Sequence, residues 1–216
     1  APTGPGVDQP ECLERVRVMM SGLPDPGPVS LSGIRLVISD IDGVMTDGGL
    51  HYDENGHCFE RFHVRDKLGI QMLEKSGIRV AALSERNSES LRKLLDDWGV
   101  SLFRLGVQDK IAAGRELMQA VSVSPADTAC IGDDYTDLPV FAECAVPFSV
   151  ADAPDFVRQA ATYTLSRRGG DGALLEASDR ILPAVSRDQA VSPHRCARSQ
   201  ESDKPKKVLF LQDKTR

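Results

Sequence analysis

Between Ile34 and Leu165 the sequence alternates short apolar runs with amphipathic stripes, and this alternation narrows the possible folds more than any other feature. The runs fall at 34–38, 79–83 (RVAAL), 101–105 (SLFRL), 128–131 (TACI), 145–150 (AVPFSV) and 162–165. They have the length of strands, and the first wants cover on both faces. Between them lie helical patterns. Leu91, Leu94, Leu95 and Trp98 recur at i, i+3, i+4 and i+7, with Asn87 or Ser88 as the expected cap and Gly99 as the stop. Ile111, Gly114, Leu117, Met118 and Val121 repeat the pattern after Asp109, and Leu68, Met72 and Leu73 form a stripe closed by Gly77. Strands and helices of these lengths join by right-handed crossovers. The expected fold is therefore α/β, a three-layer Rossmann-like parallel sheet with helices on both faces.

One stretch breaks the rhythm. LHYDENGHCFERFHV (50–64) reads as two short strands around Asn55-Gly56, a dipeptide suited to a tight turn. The expectation is a small β-hairpin, about 48–64, inserted after strand 1. Residues 1–33 are rich in Pro and Gly, with one short helical pattern around Glu11–Met20, and read as a linker or arm. The main domain is expected over 34–182. Residues 183–216 carry eight Lys/Arg against four Asp/Glu without a clear period and read as a basic, disordered tail.

A formal charge of −6 gives the 216-residue chain no nucleic-acid signature, and no apolar run reaches the roughly 18–20 residues of a membrane span. Neither partner is expected. Cys12, Cys58, Cys130, Cys144 and Cys196 are scattered and odd in number, as in the reduced thiols of a cytoplasmic protein. The four histidines have no zinc spacing. The missing initial Met suggests a trimmed or excised chain.

Ligand sites in open parallel sheets lie beyond the carboxyl ends of the strands. Strand one delivers Asp40 and Asp42 there, strand two delivers Ser84, Glu85 and Arg86, and Lys110 starts the helix after strand three. Strand four delivers Gly132, Asp133, Asp134 and, a turn on, Asp137. Carboxylates crowded in this way need a cation, and oxygen-only ligation by Asp40 and Asp133 suits Mg²⁺. A metal, a lysine and a serine hydroxyl together suit a phosphate group. One aspartate can act as nucleophile, and a second, two residues on, can protonate the leaving oxygen and then activate water. Ser84 could equally cap the helix at 88–97, and Arg65 and Arg86 could be surface ion-pair residues.

DIDGVMTDGG, LSER, Lys110 and IGDDYTD stand in the order and spacing of the four motifs of the haloacid dehalogenase superfamily, which the chain resembles over 34–150. DGVMTDGGLHYDENG, FHVRDKLGIQML, QDK, GDDYTDLPV and RRGGDGALLE are similar to its small-capped sugar-acid phosphatases over about 34–182. The resemblance implies an Mg²⁺-dependent phosphatase acting through a phospho-aspartate on a small-molecule sugar-acid phosphate. That substrate is either a nonulosonate (sialic acid type) 9-phosphate or 3-deoxy-manno-octulosonate 8-phosphate, and Ser84-Glu85-Arg86 tilts the choice toward nine carbons. Asp40 is then the nucleophile, and Asp42 is the acid/base with its backbone carbonyl on the metal. Asp133 is a direct metal ligand, and Asp134 and Asp137 hold metal waters and Lys110. His63, Val64, Arg65, Asp66, Lys67, Glu85, Arg86, Gly169 and Gly170 are the implied substrate-binding residues. The family also implies a homotetramer whose hairpins form a central barrel, with a neighbour's Gly-rich segment such as RRGGDGALLE reaching the site. An alternative is the assembly domain of a CMP-sialic acid synthetase, fused to or partnering a cytidylyltransferase, with little phosphatase activity. A receiver-type signalling domain fits neither the hairpin nor the second aspartate.

Overall fold

The computed structural model describes residues 30–191. Six parallel strands form one sheet in the order β5-β4-β1-β6-β7-β8. They are β1 (Leu36–Asp40), β4 (Arg79–Ser84), β5 (Leu102–Leu105), β6 (Thr128–Gly132), β7 (Val146–Ser149) and β8 (Tyr163–Thr164). β2 (His51–Tyr52) and β3 (Cys58–Phe59) pair antiparallel as a separate hairpin. The helices are α1 (Val64–Lys75), α2 (Glu89–Trp98), α3 (Lys110–Ala120), α4 (Leu138–Phe141), α5 (Asp155–Ala160) and α6 (Ala173–Val191). From β1 the chain steps outward through β4 to β5, then returns to the other side of β1 for β6, β7 and β8. Right-handed crossovers put α1 and α2 on one face and α3, α4 and α5 on the other. α6 lies along α1 and completes the first layer.

Layering explains the central strand. Every residue of β1 is buried, because helices cover both of its faces. Its Leu36, Val37 and Ile38 join Val80, Ala129, Ile131, Val146 and Phe148 in one core. Each of the fully buried Val, Leu, Ile and Phe side chains contributes about 1.5–3 kcal/mol by leaving water. Local signals fix the helix ends. Ser88 caps α2 by accepting from Leu91 N, and Gly99 ends it at φ +77°.

Four expectations need correction. The hairpin turn is not a two-residue Asn-Gly turn: Tyr52 pairs with Cys58, and Asp53 organises the intervening loop by accepting from Asn55 N and His57 N. The buried stripe of α1 is Asp66, Gly69, Ile70 and Leu73, while Leu68 is 48% exposed. β1 starts at Leu36 and runs on into the polar residues Ser39 and Asp40, which the sheet buries. α6 runs past residue 182 to Val191 because Ile181 and Val185 continue its buried stripe, while Pro183 sits on the solvent side. The remainder of the expected tail, Cys196, and nearly all of the expected arm with Cys12 lie outside the described residues. Cys58, Cys130 and Cys144 are free thiols. No helix among the described residues is long and apolar enough to cross a membrane.

Candidate active site

The chain reverses its direction across the sheet between β1 and β6, and the crevice at such a switch point is where open α/β sheets hold ligands. Asp40 pairs with Leu83, so Ser84 lies one residue beyond it. Ser39 pairs with Ile131, so Asp133 follows β6 on the other side. Lys110 opens α3 after the cap Asp109, which accepts from Ala112 N. The sheet therefore brings Asp40, Ser84, Lys110, Asp133 and Asp137 to one edge.

Lys110 Nζ lies 3.0 Å from Asp40 Oδ2 and 2.7 Å from Asp137 Oδ1, with all three side chains buried. Burial alone would push the Lys110 ammonium down, but the charges of Asp137 and Asp40 overcome it and hold it well above its ordinary range. Burial and then the Asp137 charge push the Asp40 carboxyl well above the usual carboxylate range, with Lys110 opposing them. Asp133 is pushed up to about 7 by burial and by the charges of Asp137 and Asp134. One cation thus faces three acids.

Asp133 Oδ1 is buried without a hydrogen-bond partner among the described residues. One oxygen from each of Asp40, Asp133 and Asp137 lies within 4.8 Å of the others. An anionic, all-oxygen set with an orphaned buried oxygen fits a hard divalent cation. Asp137 is the most committed of the three. Its Oδ1 accepts from Lys110, and its Oδ2 accepts from Asp133 N at 3.0 Å and Asp134 N at 3.2 Å. Asp134 is exposed and accepts from Tyr135 N at 2.7 Å, so Lys110 is held by Asp137 and not by Asp134.

Asp42 sits on the solvent side of this cluster. Its Oδ2 accepts from Ser84 Oγ at 2.8 Å and its Oδ1 from Arg86 Nη1 at 2.7 Å. Ser84 points at the site, and the helix-cap role belongs to Ser88. Arg86 is also forked onto Glu60, through Nη1 to Oε1 and through Nη2 to Oε2 at 3.0 Å. Next to Glu60, Arg61 donates to Asp47 Oδ2 at 3.2 Å and to the Gly170 carbonyl at 3.1 Å. Glu60 and Arg61 were not among the expected site residues. The available signal was a Glu-Arg pair set between Phe59 and Phe62 at the exit of the hairpin.

The implied substrate residues divide. His63 caps α1, accepting from Arg65 N at 3.1 Å, with its Nε2 3.8 Å from Asp171 Oδ1. Val64 and Arg65 are exposed beside it, as is Glu85 on the next strand tip. The structure gives four others a different setting. Asp66 is fully buried, and its oxygens accept from Leu174 N at 2.8 Å and Gly172 N at 3.2 Å, capping the start of α6. Burial pushes its carboxyl up to about 6 against those hydrogen bonds. Lys67 reaches away to Asp97 of α2, 3.0 Å off. Gly169 and Gly170 are buried against the first loop of their own chain: Gly170 N donates to the Val44 carbonyl at 2.9 Å. A Cβ at Gly169 would lie 1.9 Å from the Gly43 carbonyl oxygen, and one at Gly43 would lie 2.0 Å from Asp133 Oδ2. Backbone alone fits in this stack, which supports the acidic loop from behind.

Residues 104–175 match the family model of haloacid dehalogenase-like hydrolases. The chain is 51% identical over 154 residues to the 3-deoxy-D-manno-octulosonate 8-phosphate phosphatase of Haemophilus influenzae, covering 71% of this chain and 86% of that one. The cobalt-bound structure of the Haemophilus influenzae phosphatase superposes with a TM-score of 0.70 at 48% identity, over 76% of this chain and 96% of that one. The Moraxella catarrhalis phosphatase, in complex with magnesium ion, phosphate ion and KDO, gives a TM-score of 0.70 at 30% identity, over 76% of this chain and 95% of that one.

Proposed function

The chain belongs to the haloacid dehalogenase-like hydrolases, among the sugar-acid phosphatases, and from that premise we propose that it hydrolyses 3-deoxy-D-manno-octulosonate 8-phosphate by way of a phosphorylated Asp40. The tilt toward nine-carbon acids rested on Ser84-Glu85-Arg86. The half-identity to an octulosonate 8-phosphate phosphatase outweighs that three-residue signal.

One observation carries the mechanism: the buried Asp40–Lys110–Asp137 line beside the unpartnered Asp133 Oδ1. Mg²⁺ bound by Asp40, Asp133 and the Asp42 backbone carbonyl would supply positive charge to offset repulsion between the Asp40 carboxylate and an anionic phosphate. The remaining roles fall to the chain. Lys110 fixes Asp40 Oδ2 and adds a second positive charge where phosphoryl oxygens must sit. Asp40 Oδ1 accepts from Ile41 N at 2.8 Å, which holds the carboxylate plane. Asp42, steadied by Ser84 and Arg86, gives its proton to the departing sugar oxygen. It then takes one from the water that opens the acyl phosphate. Arg65 and His63, at the start of α1, would meet the sugar acid.

Assembly belongs to the same proposal. Leu50 (46%), Tyr52 (66%), Phe59 (57%), Val64 (77%) and Leu68 (48%) are the exposed large apolar residues among those described, and all lie on the hairpin or the start of α1. That surface suits burial between copies of the chain in a homotetramer. Cytoplasmic residence agrees with the three free thiols.

The test is phosphate release from octulosonate 8-phosphate with and without Mg²⁺, beside a nonulosonate 9-phosphate. Magnesium-dependent release that vanishes in Asp40→Asn is expected. A higher kcat/KM on the nine-carbon ester would move the substrate, and no release from either would leave an assembly role.

A further inference from the structure

Glu60 is anomalous for its position. The strands of the hairpin are exposed throughout, yet the Glu60 side chain, next to β3, is only 6% exposed. It spends its buried carboxylate on a single partner, both oxygens facing the two terminal nitrogens of Arg86. Forked pairing of this kind fixes a guanidinium in plane and direction, which a single contact does not. Held so, Arg86 turns Nη1 onto Asp42 Oδ1 at 2.7 Å, while Ser84 holds Asp42 Oδ2 at 2.8 Å. Asp42 is thus oriented through a relay that begins on the hairpin.

We propose that Glu60 is a positioning residue for proton delivery: by locking Arg86 it sets the orientation in which the Asp42 carboxyl meets the leaving oxygen. The inference rests on the assignment of Asp42 as the acid. Without Glu60, a guanidinium that is 33% exposed regains its rotamers, and Asp42 is steadied by Ser84 alone. Ser84 is tied to the strand tip by accepting from Arg86 N at 3.0 Å, so the inner half of the relay survives the loss of Glu60. Phe62, two residues on, packs edge-to-face on Trp98 with ring centroids 5.9 Å apart and holds the hairpin exit in place independently. The cost should fall on proton transfer, which matters only when the leaving oxygen is a poor one.

The experiment compares aryl phosphates of similar shape whose leaving groups differ in basicity, in the magnesium-loaded enzyme. The kcat/KM reports the steps through leaving-group departure. Glu60→Ala should lower kcat/KM for phenyl phosphate about tenfold, a part of the 10²–10⁴ a general acid supplies, and change that for p-nitrophenyl phosphate less than about twofold. Glu60→Gln, which keeps size and one acceptor oxygen, should fall between wild type and Glu60→Ala. In an Arg86→Ala background, removing Glu60 should change nothing further, since its effect passes through that guanidinium. Equal losses on both esters, or losses that add to those of Arg86→Ala, would overturn the proposal. Asp42→Asn in the same series separates the two levels of argument. If its loss grows with leaving-group basicity and that of Glu60→Ala does not, only the positioning role fails. If the Asp42→Asn loss is flat, the acid assignment fails and takes this inference with it.

Discussion

The strand tips and the hairpin face each other across the same crevice but are built on different principles. At the tips, Asp40, Lys110 and Asp137 are buried, each belongs to the end of a core element, and every one touches another. On the hairpin, two-residue strands carry exposed side chains, and the charged ties across the crevice to the strand tips and loops come from Glu60 and Arg61 at its exit. Charges held by the core cannot relax, so they can be aimed at a reaction. Charges held by a small exposed arm are aimed only as well as their few pairings allow.

Removing Lys110 tests the first half of that contrast most severely. Lys110→Met should abolish phosphate release. It should also destabilise the metal-free protein by about 3–5 kcal/mol in urea unfolding, because buried carboxylates lose their cation. A variant that melts like the parent would mean the tips are wetter than their burial indicates. Asp40→Asn should be as dead in turnover yet fold well, since it removes one of the repelling charges.

Next in size is the coupling of metal to protons. Asp133, held near 7, must lose its proton to become a ligand. Magnesium affinity should therefore rise about tenfold per pH unit below 7 and level off above it, as followed by titration calorimetry. The same shift acts on stability with the opposite sign. A carboxyl raised in the folded state binds more protons than in the unfolded chain between pH ~4 and ~7, so the metal-free fold weakens as pH climbs through that window. A magnesium affinity indifferent to pH would break the account of the tips.

Asp66 belongs to the core of the molecule although it looked like part of the rim. Its carboxylate joins α1 to the start of α6 by accepting from Gly172 N and Leu174 N. Asp66→Ala should cost about 2 kcal/mol by leaving two buried N–H groups unpaired. With its pKa raised to about 6, the wild-type side chain also makes the fold lose stability as pH rises from ~4 to ~6. Asp66→Asn should remove that leg of the curve, as read from Tm against pH.

The same contrast explains what could be read from the sequence. The β1, β4 and β6 runs are apolar and end sharply, so counting to the last apolar residue locates Asp40, Ser84 and Asp133 within a residue of the edge. The partners of the hairpin were not readable. Nothing near Glu60 indicates a guanidinium 26 residues later, because the pairing depends on how the hairpin leans over the sheet. Asp66 stands between two charged neighbours, Arg65 and Lys67, in a segment that resembles a substrate loop. Its true partners lie 106 and 108 residues away, so only the packing of α1 on α6 discloses its role. The expected tail begins at Pro183, and local rules mark proline as a helix breaker. The buried stripe through Val185 overrode them.

Lys67 gives the smallest expected effect and sharpens the border between the two regions. It follows Asp66 in a stretch that was expected to hold substrate, but its ammonium is 3.0 Å from Asp97 on α2, a carboxylate that is 70% exposed. A pair so open to water gains little from Coulomb attraction and loses side-chain entropy by forming, so it contributes about 0–1 kcal/mol. Lys67→Ala should shift the urea midpoint barely beyond error and leave kcat/KM for the sugar-acid phosphate within about twofold. If kcat/KM falls tenfold while the midpoint stays put, Lys67 abandons Asp97 when substrate arrives, and the rim extends one helical turn further along α1 than the ion pair allows. If neither moves, the border runs between the exposed Arg65 and the buried Asp66, where the first turn of α1 passes from solvent to core.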